Sequence, residues 1–254
     1  VQFADVATLE QMSVSERENT VVIVQDAFTS YFETQLVIDL VAALRKLGFN
    51  ALVAPFSANG KPLHVHGFLG AFKRTAAKNA KLLKDINDCG VALIGVDPSM
   101  TLTYRSEYAK YLDESELPKV QLIQEWLVEQ GDKLEALGKT QSDNSFTLLP
   151  HCTEKTNAAS SVKQWQQVFE QLGATLNTKA VGCCGMAGTY GHETRNVDTS
   201  KTIYAQSWEP AVNSVEDTSS LVATGYSCRC QVKRFSGTQI QHPIQVLLKV
   251  LNQD

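Results

Sequence analysis

The sequence predicts an α/β protein of two pseudo-symmetric lobes, each a small parallel sheet flanked by helices. Two observations carry this prediction. Strand-like and helix-like patterns alternate along the chain, and the second half repeats the pattern of the first. Strands that alternate with helices favour parallel pairing, with helices covering both faces of the sheet.

The first half supplies the clearest elements. Val21 to Val24 is a short apolar run that is typical of a buried strand. Apolar residues then recur at helical spacing, and Gly48 ends that helix. These residues are Leu36, Leu40, Ala43, Leu44 and Leu47. A second strand over 51–54, a helix over 68–86 and a third strand over 91–96 complete the lobe.

The second half repeats this order. Its predicted strands cover 146–149, 174–181 and 220–224, and its predicted helices cover 161–172, 188–206 and 243–252. A shift of 125 residues places the strand at 21–24 on 146–149 and Leu47-Gly48 on Leu172-Gly173. A shift of 128 aligns the third strands. The constant spacing indicates a duplication.

The connection between the halves has its own pattern. Lys119 to Leu137 is predicted to be an amphipathic helix, and the polar stretch Gly138 to Asn144 is the predicted linker. The start of the chain, Val1 to Asp5, carries acid where a signal peptide would be basic. We interpret residues 1–18 as the cut end of a longer protein or a linker, with processing as the alternative.

The composition of the chain argues against nucleic acid and a membrane span as features of this protein. The chain has 254 residues, 43% hydrophobic and 20% charged, with a net charge of −4. Without a basic patch we expect no nucleic-acid partner. Without a run of about 20 apolar residues we expect no membrane span.

The cysteines predict one metal site. Five of the six cysteines lie in the second half, and four of them follow predicted strands: Cys152, Cys183, Cys184 and Cys228. Loops at the carboxyl ends of parallel strands meet at one edge of the sheet. Helix N-termini at such an edge favour anions, and thiolates are the form of cysteine that binds metal. Buried structural cysteines and a structural zinc ion are the alternatives.

The first half lacks these ligands. The matching positions are Ala27, Ala58, Asn59 and Thr103, with Asp97 and Met100 in an alternative register. None is cysteine, so a duplication would have kept the scaffold in one lobe and the site in the other.

Glycines and histidines accompany the predicted ligands. Gly185, Gly188 and Gly191 would let the backbone approach a bound cofactor closely. His151 and His192 flank the cysteine motifs, and each is either a donor to a cofactor sulfur or a structural histidine. Cys230 is either a further ligand or a neighbour of the ligands.

These motifs resemble a known family. The stretch 182–191, Gly-Cys-Cys-Gly-Met-Ala-Gly-Thr-Tyr-Gly, together with Cys152 and the stretch 228–231, resembles the cysteine-rich CCG domain. That domain occurs in iron–sulfur subunits of glycolate oxidase and anaerobic glycerol-3-phosphate dehydrogenase, and in heterodisulfide reductase. The resemblance runs from about residue 20 to 251. It is strongest to the C-terminal part of bacterial FAD-linked oxidases that are similar to D-lactate and D-2-hydroxyglutarate dehydrogenases.

The sequence departs from that family in two ways. Gly225 stands where the family usually has the first cysteine of a Cys-x-x-Cys pair, and Cys230 is additional. We therefore expect one site with four main thiolates.

The resemblance implies an electron-transfer module. On this reading residues 142–254 hold a 4Fe–4S cluster, residues 19–141 form a degenerate ligand-free lobe, and FAD binds in a missing N-terminal part of the same polypeptide. The whole enzyme would oxidise a D-2-hydroxyacid and pass electrons to a quinone or a redox protein. This chain alone would have no substrate turnover and no catalytic residue. We expect it in the cytoplasm, either free or at the inner face of the membrane. A structural zinc module and a thiol–disulfide catalyst are the alternative functions.

Overall fold

A computed structural model describes residues 1–137 and 144–252. The chain forms two compact units, Val1–Glu129 and Gln130–Asp254. The predicted linker over 138–144 falls, apart from Asn144, outside the described residues. The functional assignment of segments 1–18, 19–141 and 142–254 stays a prediction.

The first unit is built on a four-stranded parallel sheet with the strand order β2-β1-β3-β4. The strands are β1 Thr20–Val24, β2 Asn50–Val53, β3 Ala92–Gly95 and β4 Val120–Leu122. All five residues of β1 are buried, as expected for a central parallel strand with helices on both faces. Val22 lies between Leu52 and Leu93 in the sheet.

Nine helices belong to this unit over its described residues. They are α1 Val6–Gln11, α2 Val14–Glu18, α3 Ala27–Tyr31, α4 Thr34–Lys46, α5 Lys61–Val65, α6 Leu69–Asn87, α7 Pro98–Thr101, α8 Thr103–Ser106 and α9 Ile123–Glu129. The predicted stripe of α4 is buried, and Gly48 follows the helix at φ +85°, a conformation that glycine adopts without strain. Residues 1–18 pack on this unit, since Phe3 pairs with Val53 and Leu9 is fully buried.

One predicted helix of this region is wrong. Lys119 to Leu137 is not a single helix: it contains β4, α9 and, in the second unit, α10 Gly131–Ala136. Val120 and Leu122 are buried because β4 pairs with β3 as an edge strand. Pairing with a distant strand overrides the helical spacing, and Gly131 weakens the continuation of α9.

The second unit repeats the central topology. Its strands are β5 Ser145–Leu149, β6 Thr175–Thr178 and β7 Leu221–Ala223, in the order β6-β5-β7. Thr147 lies between Asn177 and Leu221 in this sheet. These three residues correspond to Val22, Leu52 and Leu93 of the first sheet after shifts of 125, 125 and 128 residues. The predicted repeat and fold class are confirmed.

The helices of the second unit differ more from prediction. Besides α10 they are α11 Cys152–Asn157, α12 Ser161–Gln171, α13 Val197–Asn213, α14 Tyr226–Ser236 and α15 Pro243–Val250. The helix predicted over 188–206 begins only at Val197. Ala187 and Gly188 have positive φ values of 43° and 70°, and Glu193 is extended between two 3-10 turns, so the helix cannot start earlier. The sequence pattern also missed α14. Single 3-10 turns cover Tyr108–Lys110, Glu114–Glu116, Tyr190–His192, Thr194–Asn196 and Thr218–Ser220.

The helices also bear on membrane insertion. Throughout residues 1–137 and 144–252, every helix is too short or too polar to cross a bilayer.

Candidate functional site

The four predicted ligands lie at one edge of the second sheet. Cys152 is the first residue of α11, directly after β5, and Cys228 lies in the first turn of α14, after β7. Cys183 and Cys184 lie in the irregular loop that follows β6. Because β6, β5 and β7 are parallel neighbours, their carboxyl ends share this edge. The sequence placed Cys228 in a loop, whereas the structure places it inside a helix.

The four thiols contact one another in sequence. Thiol–thiol hydrogen bonds join Cys152 to Cys183, Cys183 to Cys184, and Cys184 to Cys228. Cys183 is exposed, whereas Cys184 and Cys228 are buried. The set therefore runs from the surface into the core, and its members come from all three strand ends. We call it the thiol row.

The environment of the row favours the neutral thiol at Cys152 and at Cys184. The pKa of Cys152 is raised well above its ordinary value by its hydrogen bond with Cys183 and by burial. The hydrogen bond with Cys183 lowers the pKa of Cys184, but the bond with Cys228 and burial outweigh it and leave that pKa strongly raised. A bound cation would offset the charge of several thiolates here.

The thiols are not arranged around a single point. Among the described residues, no group of three or more His, Cys, Asp or Glu side chains is disposed to hold a metal ion. The sulfurs of the thiol row lie close together at the sheet edge, but they do not surround a common position that an ion could occupy. The hydrogen bonds between the thiols are compatible with the lack of a metal-binding arrangement. Hydrogen-bonded thiols touch in pairs, whereas metal-bound thiolates spread around a cation.

Backbone donors point at the sulfurs. The N–H of Gly185 donates to Sγ of Cys183 at 3.3 Å, and the N–H of Met186 donates to the Cys184 sulfur. The side chain of Thr153 forms a hydrogen bond with Cys152 that favours its thiolate. Such bonds stabilise thiolates and tune the potentials of iron–sulfur clusters. The chemistry of this donor set fits a thiolate-ligated cofactor.

The glycines shape the loop that carries Cys183 and Cys184. Gly185 has a φ of +86°, and a Cβ there would lie 2.3 Å from the carbonyl oxygen of Ser200. A Cβ on Gly191 would lie 2.8 Å from the carbonyl oxygen of Gly185, so the loop folds closely on itself. Gly188 supplies another positive φ. A direct contact between these glycines and a cofactor stays a prediction.

A buried glutamine that sequence reasoning missed fixes the same loop. Nε2 of Gln231 donates to the carbonyl oxygen of Cys184 at 2.9 Å and to Oγ of Ser200 at 2.8 Å. Oγ of Ser200 in turn donates to the carbonyl oxygen of Gly185 at 2.8 Å. α14 therefore positions Cys184 as well as Cys228.

Two buried charged residues support the edge from beneath. The carboxylate of Glu154 accepts hydrogen bonds from the hydroxyls of Ser161 and Thr224. Arg229 donates to the carbonyl oxygens of Ala223 and Thr224 at 2.7 and 2.9 Å. These bonds tie α11 and α14 to the end of β7. The sequence analysis gave neither residue a role, because charged residues are rarely buried, although Arg229 lies within the stretch 228–231 that resembles the family motif.

The two flanking histidines differ. His151 is buried and caps α11, with Nδ1 accepting the N–H of Thr153 at 3.2 Å. His192 is exposed at the end of a 3-10 turn. The roles of both toward a cofactor stay predictions, and burial beside the thiol row favours His151.

Cys230 lies on a different side of α14 from Cys228, because helical residues two apart do not share a face. It packs against the apolar cluster that includes Tyr204 and Trp208 and also Cys184 and Cys228, so it is a neighbour of the proposed ligands. This position favours a packing role, and ligation by Cys230 stays a prediction.

Comparison with known proteins identifies similar chains. No family model matches. D-2-hydroxyglutarate dehydrogenase from Pseudomonas putida is 50% identical over 249 residues, which cover 98% of this chain and 24% of that protein. The protein of the same name from Escherichia coli is 43% identical over 244 residues, 96% of this chain and 24% of that protein. A subunit of the anaerobic glycerol-3-phosphate dehydrogenase from Escherichia coli is 27% identical over 236 residues, which cover 88% of this chain and 57% of that protein.

The match confirms the resemblance to these two kinds of dehydrogenase. The chain spans about a quarter of the length of the D-2-hydroxyglutarate dehydrogenases, and it corresponds to their C-terminal part. It is therefore similar, over nearly its whole length, to one portion of larger oxidoreductases.

Proposed function

We propose that this chain is the electron-transfer part of a flavin-linked dehydrogenase and that its second unit holds a 4Fe–4S cluster. The observation that carries the proposal is the thiol row: four cysteines from three strand ends meet at one edge, within a chain that is similar to part of known dehydrogenases.

The proposed ligands are Cys152, Cys183, Cys184 and Cys228. A bound cluster of this kind supplies reversible one-electron transfer. The N–H groups of Gly185 and Met186 already donate to ligand sulfurs, so they would stabilise the thiolate form. Cys183, the second thiol of the row, is exposed, so an electron donor or acceptor can approach the row there.

The rest of the proposed function takes its substrate class from the names of the relatives and its FAD and electron acceptor from the family resemblance. We propose that the whole polypeptide oxidises a D-2-hydroxyacid of the 2-hydroxyglutarate class, with FAD bound outside this chain. The electron acceptor would be a quinone or a redox protein. We propose that the chain lies in the cytoplasm, at the inner face of the membrane if the acceptor is a quinone. The chain by itself would not turn over substrate.

Anaerobic reconstitution tests the proposal. We expect the purified chain to turn brown with iron and sulfide, and its reduced form to give an electron paramagnetic resonance signal. Cys184→Ser should lose the signal and most of the bound iron, because Cys184 is the buried link between Cys183 and Cys228. Cys89→Ser is the matched control, since that buried cysteine lies in the first unit and bonds to the carbonyl oxygen of Asp85.

Two results would contradict it. A colourless protein that binds one zinc ion per chain would indicate a structural zinc module instead. Redox cycling of a disulfide among these cysteines without bound iron would indicate a thiol–disulfide catalyst.

A further inference from the structure

The ring of His151 occupies the space beside Gly225. A Cβ on Gly225 would lie 2.2 Å from Cδ2 of His151, 2.9 Å from Cγ and 3.2 Å from Nε2. The backbone of Gly225 has φ −87° and ψ 133°, a conformation that any residue adopts. Space, rather than backbone conformation, is therefore what requires glycine here.

This space belongs to the proposed site. Gly225 is the N-cap of α14 and precedes Cys228 by three residues, so it lies at the helix start that carries this thiol. His151 directly precedes Cys152 at the start of α11. Its ring thus lies between the two helix starts that carry the first and last thiols of the row.

The hydrogen bonds of the ring fix its tautomer. Nδ1 accepts the N–H of Thr153, so its lone pair is engaged and the proton of the neutral ring is on Nε2. Nε2 lies 3.4 Å from Oγ of Ser227, a long contact that leaves the N–H weakly bound. A protonated Nε2 donates hydrogen bonds and does not ligate metal.

We propose that His151 takes the place of a ligand at position 225. Its ring excludes any side chain there, and its Nε2–H donates to the sulfurs of the cofactor site instead of binding iron. The exclusion of a side chain at position 225 rests on packing alone, and we call it the packing half. The donation to the cofactor sulfurs rests on the proposed function, and we call it the donor half. An N–H donor near cluster sulfur raises the reduction potential, because it stabilises the more negative, reduced form.

Melting temperatures of the metal-free chain test the packing half. Gly225→Ala should lower the melting temperature of the wild-type chain, whereas adding it to His151→Ala should leave the melting temperature of that variant unchanged. Gly70→Ala is the control, because a Cβ on Gly70 meets only Arg74 at 3.8 Å. If Gly225→Ala destabilises both backgrounds equally, or neither, His151 does not fill that space.

The reconstituted chain tests the donor half. His151→Asn supplies an oxygen acceptor in place of Nδ1 at the cap of α11 and has no donor at the position of Nε2. His151→Gln places an N–H near the position of Nε2. We expect unchanged iron content in both variants, a midpoint potential shifted to more negative values in His151→Asn, and partial recovery in His151→Gln.

The outcomes separate the two proposals. A wild-type potential in His151→Asn overturns the donor role while leaving the cluster in place. Loss of iron from His151→Asn, with wild-type protein fully loaded, would mean that His151 is needed to hold the cofactor, and it would overturn a role limited to donation. Failure of the wild-type chain to load iron overturns the proposed function, and the donor role with it, but leaves the packing result standing.

Discussion

The carboxyl edges of the two sheets have the same backbone topology but carry different residues at matching positions. Under the repeat, Asn59 of the first unit takes the place of Cys184, and Met100 takes the place of Cys228. Nδ2 of Asn59 donates to the carbonyl oxygen of Met100 at 3.4 Å and contacts its sulfur at 3.4 Å. A contact within the first unit therefore corresponds to the Cys184–Cys228 contact of the second.

The first edge is closed by its own hydrogen bonds. The hydroxyl of Tyr108 donates to the carbonyl oxygen of Asn59 at 2.9 Å and forms a 3.2 Å bond with Oδ1 of Asn79. Asp26 and Asp97 cap α3 and α7 there, and both are buried. The second edge has thiols whose main partners are one another. One edge is thus completed by protein groups, whereas the other has the chemistry to be completed by a cofactor.

Matched glycines give the largest expected difference. Gly60 and Gly185 correspond in the repeat, and both have positive φ. A Cβ on Gly185 would lie 2.3 Å from the backbone oxygen of Ser200, whereas one on Gly60 would lie 3.0 Å from the Phe72 side chain. We expect Gly185→Ala to lower the free energy of unfolding by about 2–4 kcal/mol and Gly60→Ala by about 1–2 kcal/mol. Urea unfolding of the metal-free chain measures both. Equal losses would mean that the two loops are packed alike.

The buried acid of the first edge should make stability depend on pH. Burial, with a smaller effect from the charge of Asp97, raises the pKa of Asp26 from 3.8 to about 7. The folded state keeps this proton up to about pH 7, whereas the unfolded chain loses it near pH 4. The free energy of unfolding should therefore fall as pH rises between these values, by on the order of 1–3 kcal/mol.

Asp26→Asn removes that titration. We expect the variant to gain stability relative to wild type at pH 8 and to lose most of that gain at pH 4, since asparagine also caps helices. Asp5→Asn, at the exposed cap of α1, is the control for the change of cap. A difference between wild type and Asp26→Asn that is constant from pH 4 to pH 8 would mean that Asp26 is charged in the folded state.

The smallest expected effect comes from one hydroxyl of the first edge. Tyr108→Phe removes the bonds to Asn59 and Asn79 without changing the packing of the ring. We expect a loss of about 1–2 kcal/mol in the free energy of unfolding and no change in iron binding by the second unit. Tyr31→Phe is the control, because Tyr31 is 67% exposed. Lower iron content in Tyr108→Phe would show that the two edges are not independent.

Much of the fold could be predicted because its signals are local. The apolar runs that became β1, β3 and β5, and the helical stripe of α4, can be recognised within ten or so residues. The edge strand β4 could not, because Val120 and Leu122 are strand residues only through pairing with β3. Likewise the late start of α13 depends on the positive φ values at Ala187 and Gly188 and on the extended backbone of Glu193.

The sequence by itself determined the repeat, the parallel topology and the placement of thiols after three strands, since the apolar periodicity and the positions of the cysteines are written along the chain. Only the tertiary structure decided which of those thiols touch, that Glu154 and Arg229 are buried beneath them, and that His151 excludes a side chain at Gly225. These features depend on contacts between segments that are far apart in sequence, and no local pattern encodes the space that one side chain leaves for another.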